Sequence, residues 1–272
     1  MASLLITFRQ RILDFCVICS FKELRNYDMS KTLNEQFSTD CCERLSIRII
    51  SMRIAFFCLP LILNATLHAQ FTKEIAHGQI KIKGYTGSDE SLTIPATIDG
   101  VPVTAVGEHA FANCTRLTNL TVSAGVVSIG ECAFYGCSGL ASVTLPESVT
   151  SIGNSAFHDC TELTNLAIPA STASIGELSF SGCKRITNVT IPGSVTSIGE
   201  LAFNGCKRLT NAIFLGNAPK MGAQVFNNVA NNFTVSYYAG ATGFTPAAWT
   251  DSSGSSWPSS ELKNQSVPPK PH

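Results

Sequence analysis

Five cysteines recur at a constant spacing in the middle of the chain and raise the question of metal or redox chemistry. They are 23 residues apart, at Cys114, Cys137, Cys160, Cys183 and Cys206. A metal site needs ligands around one point, whereas a constant long spacing places one sulfur in each unit of a column. Cysteine is also among the most buried residue types and packs as a small hydrophobic side chain. The column therefore predicts core packing.

The remaining reactive side chains form no recognisable catalytic arrangement. His158 and Asp159 adjoin, but they stand at a position that varies between the units described below. The chain has no P-loop, HExxH or nucleophile-elbow motif. The early cysteines, at positions 16, 19, 41 and 42, lack the histidines or second CxxC pair that zinc sites need. We therefore expect a protein that is not an enzyme and that has no catalytic residues, no cofactor and no metal.

Charged residues recur at the same spacing in two groups. The acidic column stands directly after a repeated glycine, and a basic group follows later in the same units. If the segment between them is a short helix, carboxylates favour its first turn and cations favour its last turn, which gives both groups a structural explanation. The basic group is also a candidate basic edge that could hold an anionic glycan or the acidic loop of a protein partner. The acidic column contains Glu108, Glu131, Glu177 and Glu200, and the candidate basic edge contains Lys184, Arg185, Lys207 and Arg208.

A 23-residue repeat explains these columns. Glycine recurs from Gly107 to Gly222, and phenylalanine recurs from Phe111 to Phe226, always at intervals of 23. The unit reads C-x-x-L-x-x-L-x-L-P-x-x-V-x-x-I-G-x-x-A-F-x-x, and the string SVTSIG occurs twice, 46 residues apart. One such unit cannot bury its own apolar face, so a constant period is typical of a solenoid of stacked units.

Each unit contains one strand signal and one turn signal. The L-x-x-L-x-L segment ends in alternating apolar and small polar residues, as in LTNLTV at residues 117–122, which indicates a half-buried strand. Proline then stops the strand at Pro146, Pro169 and Pro192, because it cannot donate to the sheet ladder. The glycine allows a turn, and the A-F segment suits a single helical turn. The sequence predicts an α/β repeat solenoid with a parallel β-sheet and short helical turns.

The unit resembles the BspA-like leucine-rich repeats of bacterial surface proteins, which have the same V-x-x-I-G-x-x-A-F-x-x-C-x-x-L-x-x-V-x-I-P run. The resemblance covers about residues 78–258 and is specific within 101–229. It implies a right-handed leucine-rich-repeat array with non-repeat caps at both ends. It also implies a secreted or cell-surface protein of a bacterium, with adhesion or another surface interaction as the role of some members.

The outward strand positions are the candidate binding face, because solenoids use such extended faces to contact partners. A protein or glycan is the expected ligand. A passive spacer of the cell envelope is the alternative, because the outward residues hardly vary between units. A lattice-matching surface such as ice binding is disfavoured by Ala167 and Ile213, which interrupt the threonine column. The candidate binding face consists of Asn119, Thr121, Ser142, Thr144, Asn165, Asn188, Thr190 and Asn211.

The first 69 residues contain an export signal behind an unusual leader. From Met52 the chain reads MRIAFFCLPLILNATLHAQ, with a positive residue, a ten-residue apolar run and a small residue, Ala69, before the expected cut. The run is shorter than the roughly 20 residues that span a bilayer, so we expect no transmembrane segment in the mature chain. Because a signal peptide should begin a chain, we infer that residues 1–51 come from a misassigned start. A long, unusual n-region of the signal peptide is the alternative.

Composition and domain boundaries complete the expectations. The 19 basic and 19 acidic residues balance, which argues against a nucleic-acid partner. Export permits disulfides, and the sequence leaves open whether the lone Cys132 or the cysteine column pairs. It also leaves the oligomeric state open. The predicted parts are residues 1–51, a non-native N-terminal extension; 52–69, the signal peptide; 70–100, an N-terminal cap; 101–229, the solenoid; 230–258, a C-terminal cap in which Trp249 and Trp257 pack; and 259–272, a disordered tail.

The export signal makes a direct prediction about the mature protein. Mass spectrometry of the exported product should find Gln70 at its N-terminus, because cleavage follows Ala69. A peptide from residues 1–51 in the mature product would contradict the misassigned start.

Overall fold

Each repeat forms one rung of a solenoid, with two short strands and one hydrogen-bonded turn. The structure is a computed structural model that describes residues 70–245 and 247–262, which lie in one compact unit. The predicted extension and signal peptide, and residues 263–272 of the predicted tail, lie outside the described residues. The strands are β1 (Phe71–Ala76), β2 (Gln79–Tyr85), β3 (Ser91–Ile94), β4 (Thr97–Ile98), β5 (Val101–Val106), β6 (Asn119–Val122), β7 (Ser128–Ile129), β8 (Ser142–Thr144), β9 (Ser151–Ile152), β10 (Asn165–Leu166), β11 (Ser174–Ile175), β12 (Asn188–Ile191), β13 (Ser197–Ile198), β14 (Asn211–Phe214), β15 (Lys220–Met221), β16 (Thr234–Tyr238), β17 (Ala247–Thr250) and β18 (Ser256–Leu262).

One nine-stranded sheet runs the length of the array. Its order is β1-β2-β5-β7-β9-β11-β13-β15, with β4 paired to β5. The repeat strands in it are parallel and in register, so that Ser151 stands beside Ser174 and Ser174 beside Ser197. The two residues before the repeated glycine, Ser-Ile in four of the rungs, therefore form a strand in every rung. The parallel solenoid predicted from the period is confirmed.

The L-x-x-L-x-L strands form two sheets rather than one continuous sheet. The first has the order β10-β8-β6-β3, and the second has the order β12-β14-β16-β18-β17. Strand β10 contains only two residues and does not pair with β12. Ala167 follows β10 where other rungs have Thr121, Thr144 or Thr190, and alanine favours strands less than threonine does. The break lies at this weakened strand.

The prediction of a short helical turn is wrong, because the turn directs alternate N–H groups to the next rung and not along a helix of its own. No residue of the described ranges is helical. The second residue of each turn has a left-handed backbone, as at Cys132 (φ 49°) and Leu178 (φ 54°). This lets alternate N–H groups point to the next rung: Cys132 N donates to Asn154 O at 2.9 Å, and Phe134 N donates to Ala156 O at 2.8 Å. An α-helix would keep these N–H groups within its own turn.

The core is a continuous stack of phenylalanine rings. The six rings of the repeat column lie 5.0–5.4 Å apart between centroids and are nearly parallel, from Phe111 to Phe226. Tyr85 covers the ring of Phe111, with centroids 5.4 Å apart. Trp257 meets the ring of Phe226 edge-on at 5.4 Å. Aromatic side chains therefore close both ends of the stack.

Strand β18 is longer than the predicted boundaries allow. It continues to Leu262 and pairs in parallel with β16, for example Tyr237 beside Glu261. Residues 259–262 are therefore strand rather than the start of the disordered tail. Trp249 and Trp257 are buried, as their packing interpretation predicted.

A column of glycines allows neighbouring rungs to approach closely. A Cβ atom on Gly199 would lie 2.4 Å from the backbone N of Glu177 and 2.6 Å from the carbonyl carbon of Gly176. These are backbone atoms of the preceding rung, so they cannot move aside without displacing that rung.

Replacing this glycine should destabilise the array. We expect Gly199→Ala to lower the free energy of unfolding in urea by about 1–3 kcal/mol, because the added carbon overpacks the inter-rung contact. Gly205→Asn is the matched control, because Gly205 has φ 71° and other rungs have Asn113 and Asn228 with positive φ at the same position. Equal stability of Gly199→Ala and the wild type would contradict the requirement for close approach.

Candidate functional site

The candidate binding face forms two separate ladders of outward side chains. In the first ladder Asn119 and Asn165 flank Ser142 in register. In the second, Asn188 stands beside Asn211. The break between β10 and β12 separates the two ladders. The structure thus brings together the predicted residues of each ladder and leaves the two ladders unpaired.

Most of these side chains are available to a ligand. Ser142 and Asn211 are half-buried, and the other six are exposed. The Asn211 Oδ1 atom already accepts hydrogen bonds from the hydroxyls of Thr234 and Ser236, at 3.4 and 3.1 Å. Asn119 and Asn188 each donate to the hydroxyl of the threonine before them, at 3.1 and 3.2 Å. Their amide oxygens and the neighbouring threonine hydroxyls give the face its hydrogen-bonding capacity.

The candidate basic edge is less positive than its sequence indicates. All four of its side chains are exposed, but the Arg185 guanidinium pairs with the Glu162 carboxylate of the preceding rung. Within the described ranges, Lys184, Lys207 and Arg208 have no ion pair. These three cations follow the turns of two adjacent rungs. They precede β12 and β14 by three or four residues, which places them beside the start of the second ladder.

A shallow groove along the nine-stranded sheet was missed by the sequence reasoning. It has a volume of about 550 Å³ and crosses four rungs, each of which contributes a short strand and its glycine; the first three rungs also contribute the residue after the glycine. Ser151, Ser174 and Ser197 lie at its strand side, and Glu177 and Glu200 lie at its turn side. The recurring S-I-G-E string was the available signal. The groove offers hydroxyl oxygens in three rungs, carboxylate oxygens in two of these and the Lys220 ammonium in the fourth, which suits polar groups.

The geometry agrees with what the comparisons with known proteins found. Residues 104–232 match six copies of the family described as "BspA type Leucine rich repeat region". A solved leucine-rich-repeat protein of T. pallidum is 31% identical, with a TM-score of 0.57, over 62% of this chain and 83% of that one. The chain belongs to the BspA-type leucine-rich-repeat family.

A second solved structure with a similar fold is that of a leucine-rich cell surface protein of Faecalibacterium prausnitzii A2-165. It is 26% identical, with a TM-score of 0.54, over 69% of this chain and 58% of that one. A comparison with curated proteins gave no significant match. The described residues include no apolar helix of membrane-spanning length.

The cysteine column of this BspA-type array is a core element. Four of its five thiols, from Cys137 to Cys206, donate to the carbonyl oxygen of a phenylalanine in a preceding rung, for example Cys160 to Phe134 at 3.3 Å and Cys206 to Phe180 at 3.3 Å. All cysteines in the described ranges, Cys132 among them, are free thiols. Burial raises the pKa of Cys160 and of Cys206 to about 12 each, so both stay protonated at neutral pH. A neutral thiol is a poor nucleophile and a poor metal ligand.

The His158–Asp159 pair also has a packing role in the BspA-type array. The His158 ring stacks on Tyr135 of the preceding rung, with centroids 5.2 Å apart and planes 8° apart. Its Nε2 lies 3.4 Å from the Asp159 carboxylate. In the described part of the chain, no group of three histidine, cysteine or acidic side chains could hold a metal ion.

The buried thiols predict a loss of stability at alkaline pH. Their folded pKa lies above the unfolded value of about 8.5, so their contribution is fully present below that pH and is lost as the pH rises toward 12. Each thiol contributes a slope of at most about 1.4 kcal/mol per pH unit. Urea unfolding between pH 7 and pH 11 in a reducing buffer should show this decline.

Two variants test whether the thiols cause that decline. The double variant Cys160→Ala/Cys206→Ala should be less stable at neutral pH but should lose less stability as the pH rises. Cys132→Ala should change the pH dependence less, because that thiol is partly exposed. An unchanged slope in the double variant would show that other groups cause the alkaline decline.

Proposed function

We propose that this chain is a secreted or cell-surface binding module that contacts a protein or glycan through its candidate binding face. The observation that carries the proposal is the register of the strands, which places Asn119, Ser142 and Asn165 in one ladder and Asn188 and Asn211 in another. Parallel strands lie about 4.8 Å apart. A ligand with a regular series of polar groups can then meet several rungs at once.

The chemistry of the face favours hydrogen bonding to polar groups. Asparagine amides and threonine hydroxyls both donate and accept. These side chains are short, so little side-chain entropy is lost when they are immobilised. Several weak contacts along two ladders, made together, give useful affinity. A sugar chain or an extended peptide segment fits this pattern.

The candidate basic edge adds a second contact of defined charge. Lys184, Lys207 and Arg208 are exposed beside the second ladder. Charge at the margin of an interface mainly speeds association and favours partners of opposite charge. An anionic glycan, or a protein with an acidic loop, is therefore favoured over a neutral ligand.

Family membership supports the surface location and the absence of catalysis. One solved neighbour is a leucine-rich cell surface protein, and leucine-rich repeats generally act as scaffolds that are not enzymes. The signal peptide predicted at residues 52–69 would export the chain. A location outside the cell is where such a face would meet other cells, matrix proteins or glycans.

A passive spacer of the cell envelope is the second candidate function. The outward residues are nearly the same from rung to rung, and similar small polar side chains also arise from solubility alone. A spacer needs only a rigid array with solvated faces. The near-identity of the rungs is the observation that favours it.

Two acidic substitutions on the face separate these functions. Asn165→Glu/Asn188→Glu in the exported protein should weaken binding on an array of glycans and matrix proteins by about tenfold or more, because it adds carboxylates to both ladders. Attachment of cells to the immobilised protein should fall in parallel. The control is Ala173→Glu/Thr196→Glu, which adds the same charge at exposed positions directly before β11 and β13. If the wild type finds no ligand and the face variant attaches like the control, the spacer is favoured.

A further inference from the structure

Two adjacent rungs share a pattern that the other rungs lack. Each has an exposed glutamate as the first residue of the turn, a leucine at the left-handed position, and a basic pair after the turn. In the other rungs the left-handed position contains a smaller or polar residue, and two neutral or mixed residues follow the turn. The two rungs are Glu177-Leu178 with Lys184-Arg185, and Glu200-Leu201 with Lys207-Arg208.

The two leucines are placed where leucine is unfavourable. Leu178 has φ 54° and Leu201 has φ 55°, a region that side chains other than asparagine and aspartate rarely adopt. The rung pattern requires this backbone, because Leu178 N donates to Glu200 O and Leu201 N donates to Ala223 O, both at 2.9 Å. Both side chains are partly exposed, so burial in the core does not account for an apolar residue. A partner that covers them would account for it.

The charges on these rungs are largely uncompensated. Within the described ranges, Glu177, Glu200, Lys184 and Lys207 form no ion pair. The glutamates stand at one side of the turns and the lysines at the other. The turn face of these two rungs therefore has an acidic margin, two leucines and a basic margin.

We propose that this turn face binds a second copy of the same chain through a two-fold axis parallel to the solenoid. A two-fold rotation about this axis exchanges the acidic and basic margins of the face and keeps each rung at the same height along the solenoid. It sets Glu177 against Lys184 of the second copy, and Glu200 against Lys207, and each contact occurs twice. A two-fold axis across the rungs would set glutamate against glutamate, which repulsion disfavours. Two-fold dimers of this self-complementary kind are the commonest oligomers.

The size of the patch makes the association weak. Two rungs cover only about 10 Å along the solenoid axis. The area that they can bury is therefore well below the roughly 800 Å² per partner of a stable interface. The dimer forms where the protein is concentrated, as on a surface. Because the contact uses the turn face, the candidate binding face of each copy stays free in the pair, whereas Lys184 and Lys207 of the candidate basic edge are engaged by the second copy. The inference does not depend on the proposed function, but a pair of binding faces would raise avidity for a repetitive ligand.

Charge reversal with restoration tests the contact. Sedimentation velocity of the exported protein, from low micromolar to about 0.5 mM, should show reversible dimerisation. Glu177→Lys/Glu200→Lys, or Lys184→Glu/Lys207→Glu, should weaken it about tenfold or more, because like charges then meet. The chain with all four changes should dimerise again, because it has complementary margins and the wild-type net charge. An equimolar mixture of the two double variants should form a mixed dimer.

A leucine variant separates the contact from folding. Leu178→Asn/Leu201→Asn should weaken dimerisation and leave the melting temperature unchanged or higher, because asparagine tolerates the left-handed backbone. This opposite response distinguishes an interface from a core role.

Three results would overturn the proposal. A wild type that stays monomeric at the highest concentration would show that the patch does not bind a second copy of the chain. Double variants that dimerise like the wild type would place the contact elsewhere. A four-residue variant that stays monomeric would show that the pairing of the margins is wrong. None of these measurements uses the ligand array. A negative dimerisation result is therefore distinct from a negative result for the proposed binding function.

Discussion

Backbone hydrogen bonds between neighbouring rungs are the constraint on which the rest of the structure depends. Each rung forms hydrogen bonds to its neighbours through its two strands and its turn. The backbone must therefore follow nearly the same path in adjacent rungs at these three places. At the glycine column this distance leaves no room for a Cβ atom, as Gly199 shows against Glu177. The left-handed residue of each turn follows from the same constraint, because it aims alternate N–H groups at the next rung. Phenylalanine stacking and the cysteine-to-carbonyl bonds then fill the space that this path encloses.

This constraint separates scaffold residues from residues that are free to vary. The residue types that recur in every repeat are those that the distance between rungs requires, and they carry no information about a ligand. The proposed binding roles therefore rest on outward side chains, which that distance does not fix. The leucines of two turns and the lysine and arginine pairs differ from rung to rung, whereas the polar strand ladders hardly vary. The leucines and the strand ladders lie on different faces of the array.

The sequence was sufficient for the solenoid and insufficient for its local conformations. The period alone predicted stacked parallel strands, because only stacking buries a face that one unit cannot bury. It did not distinguish a helical turn from the observed turn, since the A-F segment has acceptable helix formers and the deciding hydrogen bonds go to another rung. The explanation of Glu177 and Lys184 through a helix dipole therefore does not apply. The sheet break at Ala167 and the extension of β18 to Leu262 depend equally on pairing that single-unit patterns do not encode.

The candidate site was predictable in composition but not in charge or shape. Outward residues follow from the alternation of each strand, so Asn119 and Asn188 could be placed on the surface from the sequence. The neutralisation of Arg185 by Glu162 depends on a side-chain contact between rungs. The groove beside the glycines is a feature of stacked units and is absent from any one of them. Patterns within one unit predict the residues, and the spacing between units determines what those residues can do.

The hydrogen bonds between the turns of neighbouring rungs point the same way along the array. In the five turns from His109 to Gly205, alternate N–H groups donate to the following rung, as Phe111 does to Ala133 and Phe203 does to Val225. Their dipoles therefore add rather than cancel, and the turn face has a direction from its first rung to its last. The first rung presents carbonyl oxygens and the last rung presents N–H groups, so the two ends have opposite partial charge and need chemically different closures. A duplicated rung inserted anywhere would preserve that direction, which allows such arrays to lengthen internally while their two ends stay distinct.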